Sequence, residues 1–258
     1  MRLTSSKNPI LQQIRRAAAL GRTTSGGLVV AEGPHLLEEA LRGSWKLERV
    51  FTTVEGRTRH ADLLQRVDGK ITEISARALA AASATENSQE VFVLLKPRNW
   101  SWHDLVSEKA LVVILDGIQD PGNAGTIVRS AEAFGATGVV LTKPSTRLAN
   151  GKFLRATAGS IFRLPYIENV TACEASAQLR ASGLKFYALT AHAATTVEKA
   201  DFKQPCGLAV GSEAAGISPE LFAEAHAVSI PTQTVESLNA AVACSVALFE
   251  AYRQRKLP

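Results

Sequence analysis

The sequence predicts an α/β chain in two domains, and three observations carry that reading. Short segments made almost wholly of apolar residues alternate with helical patterns, as in sheets covered by helices. The length, 258 residues, admits one large domain or two of ordinary size, each able to bury a core. KPRNWSWHD (96–104) then breaks the periodicity with Pro97, Asn99 and two tryptophans. A linker at about 97–109 follows, dividing the chain into domains 1–99 and 100–258.

In the first domain Asn8-Pro9 opens a helix, Asn as N-cap and Pro at the first helical position. Ile10, Leu11, Ile14 and Ala18 supply its apolar stripe, and Gly21 closes it. LVVA (28–31) reads as a buried strand and Pro34 to Arg42 as a short helix stopped by Gly43. Leu47 to Thr52, Lys70 to Ile74 and Val91 to Leu95 are further strands with helices between. Beyond the linker, whose tryptophans suit packing better than base stacking, come five short strands. They are LVVIL (111–115), GVVLT (138–142), KFYAL (185–189), GLAVG (207–211) and AVSIP (227–231). Helices at about 123–134, 171–182, 218–225 and 237–255 separate them, which predicts a parallel sheet covered on both faces.

Composition excludes several classes. A chain 46% hydrophobic and 21% charged is a soluble globular protein, not collagen-like, a disulfide scaffold or wholly disordered. No apolar run approaches the roughly 20 residues that span a bilayer, and MRLTSSKNPI lacks the apolar core of a secretory signal. Cys173, Cys206 and Cys244 form no C-x-x-C pair, which points to inert thiols in a cytoplasmic protein. The five histidines stand at no metal-ligand spacing, so no metal site is expected.

Charge is uneven. Residues 1–99 hold 15 Lys+Arg against 10 Asp+Glu, whereas 100–258 hold 14 of each. Arg2, Lys7, Arg15, Arg16 and Arg22 occur before any acid, and a second acid-free stretch runs from Lys143 through Arg147, Lys152 and Arg155 to Arg163. Each alone is a solvated surface; two together favour a polyanionic partner.

Three segments can carry chemistry. LDGIQDPGNAGTIVRSAEAFGATG (115–138) runs from a strand through a polar loop into a helix near Asn123. That is where open α/β sheets place ligands. Asp120-Pro121-Gly122-Asn123 is also simply a good turn and cap. Ile127, Ala131 and Phe134 can face the core, which leaves Arg129 on another face, suited to a phosphate or carboxylate. LAVGSEAAGISPEL (208–221) follows a strand, with Gly211 and Gly216 permitting close backbone approach. It is neither G-x-G-x-x-G nor a P-loop, and Glu213 is a site carboxylate or a solvated turn residue. SIPTQTVESLNAAVACSVALFEAYRQRK (229–256) opens a helix near Ser237, with Leu238, Val242, Val246 and Phe249 as its buried stripe. Ser237 and Asn239 are candidate caps or site groups.

NAGTIVR after a strand, the G-x-E-x-x-G loop, and IP followed by SLN before the last helix resemble the SpoU (TrmH-like) branch of the SPOUT RNA 2′-O-ribose methyltransferases. SSKNP (5–9), VVAEGPHLLEEAL (29–41) and SATENSQEVFVLL (83–95) resemble the substrate-binding domain that such enzymes carry. The resemblance covers nearly the whole chain and lies nearest the ribosomal-RNA type. It implies a ribosomal-protein-like N-terminal α/β domain, and a SPOUT domain whose parallel sheet carries a deep trefoil knot. It implies S-adenosylmethionine as methyl donor, a ribose 2′-OH of structured RNA as acceptor, a guanosine of 23S ribosomal RNA as target, and a homodimer. Transfer RNA as substrate, or a non-catalytic RNA-binding or ribosome-assembly protein of the same fold, are the alternatives.

The resemblance also assigns roles. Arg129 would be the principal catalytic residue, holding a phosphate and stabilising the developing alkoxide, with Asn123, Glu213 and Asn239 orienting it and the substrate. Gly211, Ile230, Leu238 and Ser237 would form the cofactor pocket. Arg15, Arg16, Arg22, Lys152 and Arg155 would grip RNA. Two departures touch that pocket: Ala214 stands where the family commonly has Gly, and Thr232 where it often has Met. Ala214 is harmless unless the position needs a positive φ.

Overall fold

The computed structural model describes residues 2–3, 8–67, 69–83 and 89–256. Residues 5–7 and 84–88, within two of the segments that resemble a substrate-binding domain, lie outside them. In chain order the elements begin β1 (Arg2–Leu3), α1 (Pro9–Leu20), β2 (Val29–Glu32), α2 (Pro34–Arg42), β3 (Lys46–Thr52), α3 (Val54–Arg59), α4 (Ala61–Gln65), β4 (Ile71–Ile74), α5 (Ala76–Ala82) and β5 (Val91–Lys96). There follow α6 (Trp102–Leu105), β6 (Leu111–Asp116), α7 (Pro121–Ala133), β7 (Gly138–Thr142), α8 (Gly151–Ala156), β8 (Tyr166–Val170), α9 (Ala172–Ala181), β9 (Lys185–Leu189), β10 (Cys206–Gly211), α10 (Pro219–Phe222), β11 (His226–Val228) and α11 (Ala240–Lys256).

By their contacts these elements form two compact units, 1–99 with 147–163, and 100–146 with 164–258. The first unit is a mixed sheet of order β1-β4-β3-β5-β2, in which β5 runs antiparallel to both its neighbours. Asn8 caps α1 by accepting the Ile10 N–H, and Gly21 ends it at φ 56°. The buried face of α1 is Leu11, Ile14 and Ala17, packed with Phe51, Ile74, Leu79 and Phe92. Ile10 is instead 38% exposed, because the helix presents i, i+3 and i+6 to the sheet.

One segment departs from the sequence division. Residues 147–163, read above only as a basic stretch of the second domain, pack with the first unit. Asn150 caps α8 by accepting the Lys152 and Phe153 N–H groups. Phe162 meets Trp45 edge-on at 5.0 Å, its carbonyl accepts the Ser44 N–H at 2.7 Å, and Arg163 pairs with Glu39 at 2.6 Å. Gly159, at φ 87°, lies against the Glu39 side chain, where a Cβ would collide. Phe153, Leu154, Ile161 and Phe162 are fully buried. Each is worth about 1.5–3 kcal/mol when taken out of water, enough to outweigh the pull of neighbouring cations toward solvent.

The second unit is an entirely parallel sheet of order β11-β9-β10-β6-β7-β8. Its central strands β6 and β10 are apolar and buried because helices cover both faces. Trp102 packs on that core beside the fully buried Leu105. β8, with Glu168 and Asn169 in an edge strand, lacks the apolar run that marked the other strands. α10 is four residues long, and α11 begins at Ala240 where the sequence suggests Ser237. The predicted buried stripe of α11 is corrected too: Val242, Val246 and Phe249 are 50%, 40% and 49% exposed. Small residues, Ala240, Ala241, Cys244, Ala247 and Ala251, face inward with Leu248. They let α11 approach α7 closely and turn the larger side chains outward.

Candidate active site

β6 and β10 are neighbours in register, Asp116 opposite Gly211, so the loops leaving their C-terminal ends emerge side by side. Asp116 ties those loops together. Its backbone carbonyl accepts the Ser212 N–H at 3.1 Å, and its carboxylate accepts the Ser218 N–H and the Thr142 hydroxyl, each at 2.6 Å. The 212–218 loop is thus fastened at entry and exit by one residue that is 5% exposed. Gly216, at φ 67°, turns the chain back so that its carbonyl carbon and the Ile217 nitrogen pass over Gly211, where no side chain would fit. Ala214 has no positive φ; the strained position in this loop is Gly216. The methyl group at 214 therefore adds no backbone strain.

On this frame the structure brings together three of the four predicted catalytic side chains. Glu213 Oε1 accepts Asn239 Nδ2 at 2.8 Å and Asn123 Nδ2 at 3.0 Å, and Asn239 Nδ2 also reaches Asn123 Oδ1 at 3.2 Å. Glu213 comes from the loop after β10, and each asparagine from the start of a helix. Asn123 sits in the first turn of α7, where Asp120 caps its N–H at 2.8 Å. Asn239 caps α11, its Oδ1 accepting the Ala241 and Val242 N–H groups. The Asn239 amide is oriented by its capping role and Asn123 by its place in the capped first turn of α7, so the carboxylate meets positioned donors.

Beside the triangle opens a cavity of about 360 Å³, lined among others by all four predicted pocket residues, Gly211, Ile230, Leu238 and Ser237. Val210, Ile217, Phe222 and Leu189 make its walls apolar, while Glu213, Ser237 and Glu236 put oxygen atoms on them. That donor set fits an adenosine-like body with a charged, polar end. Thr232 also lines the cavity and donates its hydroxyl to the Val235 carbonyl at 2.6 Å, closing the turn there.

Arg129 stands apart from this triangle. It lies on α7 six residues beyond Asn123, about 9 Å along the axis and about 120° around it. It is exposed and, among the described residues, its side chain has no hydrogen bond or ion pair. Its neighbour Ser130 meets Ser245 of α11 at 2.7 Å. Arg15, Arg16 and Arg22 are exposed on and after α1 in the first unit, as are Lys152 and Arg155 in or near α8 in that same unit by contact. The two sequence stretches, some 130 residues apart, meet at Gly21, where a Cβ would lie 3.4 Å from the Asn150 Cα. Asp116 and Thr142 escaped the sequence reading. Nothing but burial of an acid at a strand end could have marked Asp116. Among the described residues no group of three His, Cys, Asp or Glu could hold a metal ion.

The SpoU rRNA Methylase family model matches residues 110–249, and the MRM3-like substrate binding domain matches 8–93. The chain belongs to the SpoU rRNA methylase family. The SpoU match contains the whole cavity lining, the triangle and Arg129. An uncharacterised tRNA/rRNA methyltransferase of Synechocystis is 34% identical over 98% of this SpoU chain and 94% of its own length. A 23S rRNA (guanosine-2′-O-)-methyltransferase RlmB of Xanthomonas axonopodis is 33% identical over 84% of this chain and 82% of its own. The AdoMet-bound rRNA methyltransferase of Sinorhizobium meliloti superposes with a TM-score of 0.85 at 31% identity, covering 100% of this chain and 99% of that one.

Proposed function

We propose that this SpoU protein transfers a methyl group to a ribose 2′-OH of ribosomal RNA, on a guanosine of the 23S molecule. S-adenosylmethionine, when bound, supplies an electrophilic methyl group. The observation that carries the reading is the Glu213–Asn123–Asn239 triangle on the rim of a nucleoside-sized cavity. Gly211, Ile230, Leu238 and Ser237 would hold the cofactor, the apolar walls excluding water from it. The chain's own task is to align a weakly nucleophilic hydroxyl and carry the charge that develops on its oxygen. Arg129 is the donor for that oxygen and for the adjacent phosphate, while Glu213, Asn123 and Asn239 fix the floor on which the ribose rests.

The exposed Val242, Val246 and Phe249 lie on one stripe of α11. They support a homodimer, in which a second copy would cover them and border the α7 segment carrying Arg129, whose neighbour Ser130 meets Ser245 of α11. A deep trefoil knot belongs to the same reading, as does a cytoplasmic location with the RNA; among the described residues no helix is long and apolar enough to cross a membrane. Near-complete two-way overlap with a ribosomal-RNA enzyme favours that substrate over transfer RNA. The test is incubation with labelled S-adenosylmethionine and total RNA from cells lacking the gene, then mapping of the modified ribose. A single 2′-O-methylated guanosine in 23S RNA is expected; label only in transfer RNA, or none, contradicts the proposal.

A further inference from the structure

The first unit sorts its arginines. Arg42, Arg57, Arg59 and Arg163 contact Glu38, Glu39, Glu73 or Glu90 at 2.6 to 3.1 Å. Arg16, Arg22 and Arg49 are exposed, and among the described residues their side chains make no hydrogen bond or ion pair. These three edge two adjoining hollows of about 370 and 310 Å³, which have Gln13, Thr24 and Ser25 in common. One wall is α1 and the other is the 22–28 loop.

The loop is built, not slack. The Arg22 N–H donates to the Ala17 carbonyl at 3.0 Å, the Thr24 N–H to the Leu28 carbonyl at 2.8 Å, and the Leu28 N–H to Thr24 Oγ1 at 3.1 Å. A groove preformed in this way spares a ligand the cost of ordering it. Ile10 and Leu20, 38% and 55% exposed, leave apolar surface open between the cations. Guanidiniums suit phosphodiester oxygens, aliphatic surface and the guanidinium plane suit a base face, and the Gln13 amide and Ser25 hydroxyl suit a base edge. An A-form duplex keeps its base faces stacked and offers only phosphates and 2′-OH groups, so it leaves that apolar surface uncovered.

We propose that this groove seats unpaired nucleotides of the RNA, their flanking phosphates on Arg16, Arg22 and Arg49 and separate bases on Leu20 and Ile10, which stand about 15 Å apart along α1. The inference rests on the reading of the chain as an RNA methyltransferase and adds the form of RNA that the first unit takes. Full-length protein is titrated, at matched salt, into a fluorescent 12-nucleotide oligoribonucleotide free of self-complementarity and into the corresponding duplex. Arg49→Ala removes one cation. Gly26→Val fills the groove and keeps every charge, at a position with a φ outside the left-handed region, where a Cβ would lie 3.9 Å from Thr24 Oγ1.

The single strand should bind more tightly than the duplex. Each substitution should weaken it about 3- to 10-fold without changing S-adenosylmethionine affinity, and Arg49→Ala should lower the salt slope by about 0.7. No binding of the oligonucleotide, equal binding of the duplex, or wild-type affinity in Gly26→Val overturns the groove even if ribosomal RNA is methylated normally. Failure of the wild type to methylate any RNA would instead remove the functional reading beneath it.

Discussion

Glu213 Oε1 accepts two amides that are each oriented by a helix start, so the geometry of the rim depends on backbone caps as much as on the carboxylate. Asp116 acts one step further back: it is not itself part of the cavity lining or the triangle, yet both ends of the 212–218 loop hang on it. In Asp116→Asn, an amide that keeps its oxygen toward the Thr142 hydroxyl turns an N–H toward the Ser218 N–H. Losing that buried bond costs about 1–3 kcal/mol. S-adenosylmethionine affinity, read by calorimetry, should fall about 10-fold or more while the melting transition stays cooperative; affinity within twofold of wild type would contradict the positioning role. The cysteines give a separate check. Burial pushes the Cys206 thiol up to about 11 and Cys244 to about 12, whereas Cys173 is exposed. A thiol reagent at pH 8 should therefore modify only Cys173 in the native protein and all three cysteines once it is unfolded.

Among the elements, those governed by local signals were legible before the structure. Asn8-Pro9 and Gly21 bound α1, and the mainly apolar β6, β7, β9 and β10 stand where the apolar runs lie. The four pocket residues and the triangle were reached through motif order, since spacing alone left Glu213 and Ser237 undecided. What tertiary packing decides was not legible. α11 carries large and small apolar residues around most of its circumference, so periodicity could not show that the alanines face inward and Val242, Val246 and Phe249 outward. α8 and the turn after it were hidden because the apolar Phe153, Leu154, Ile161 and Phe162 are interleaved with cations. The outward stripe of α11 makes a prediction of its own. Val246→Glu with Phe249→Glu should give a folded monomer by light scattering and abolish methyl transfer; a dimer of unchanged mass, or a wild type already monomeric, would contradict the homodimer.

Across the whole molecule, the excess charge of residues 1–99 and the basic stretch 143–163 no longer belong to different halves. Most of the latter, 147–163, is packed with the former. Deleting residues 1–99 would therefore strip Trp45 and Glu39 from Phe162 and Arg163 and expose apolar surface in what remains. Truncation should give aggregated protein, whereas Arg16→Glu with Arg22→Glu should weaken RNA binding at least 10-fold and leave cofactor affinity and the melting temperature nearly unchanged. Loss of cofactor binding in that double variant would contradict a grip separate from the chemistry. The account turns most directly on Arg129, an exposed cation whose side chain has no partner among the described residues. Methyl transfer to 23S RNA and S-adenosylmethionine binding should be measured side by side for wild type and Arg129→Ala. Transfer reduced by at least 1,000-fold, about 4 kcal/mol, with cofactor affinity within threefold of wild type is the predicted result; turnover near normal would contradict it.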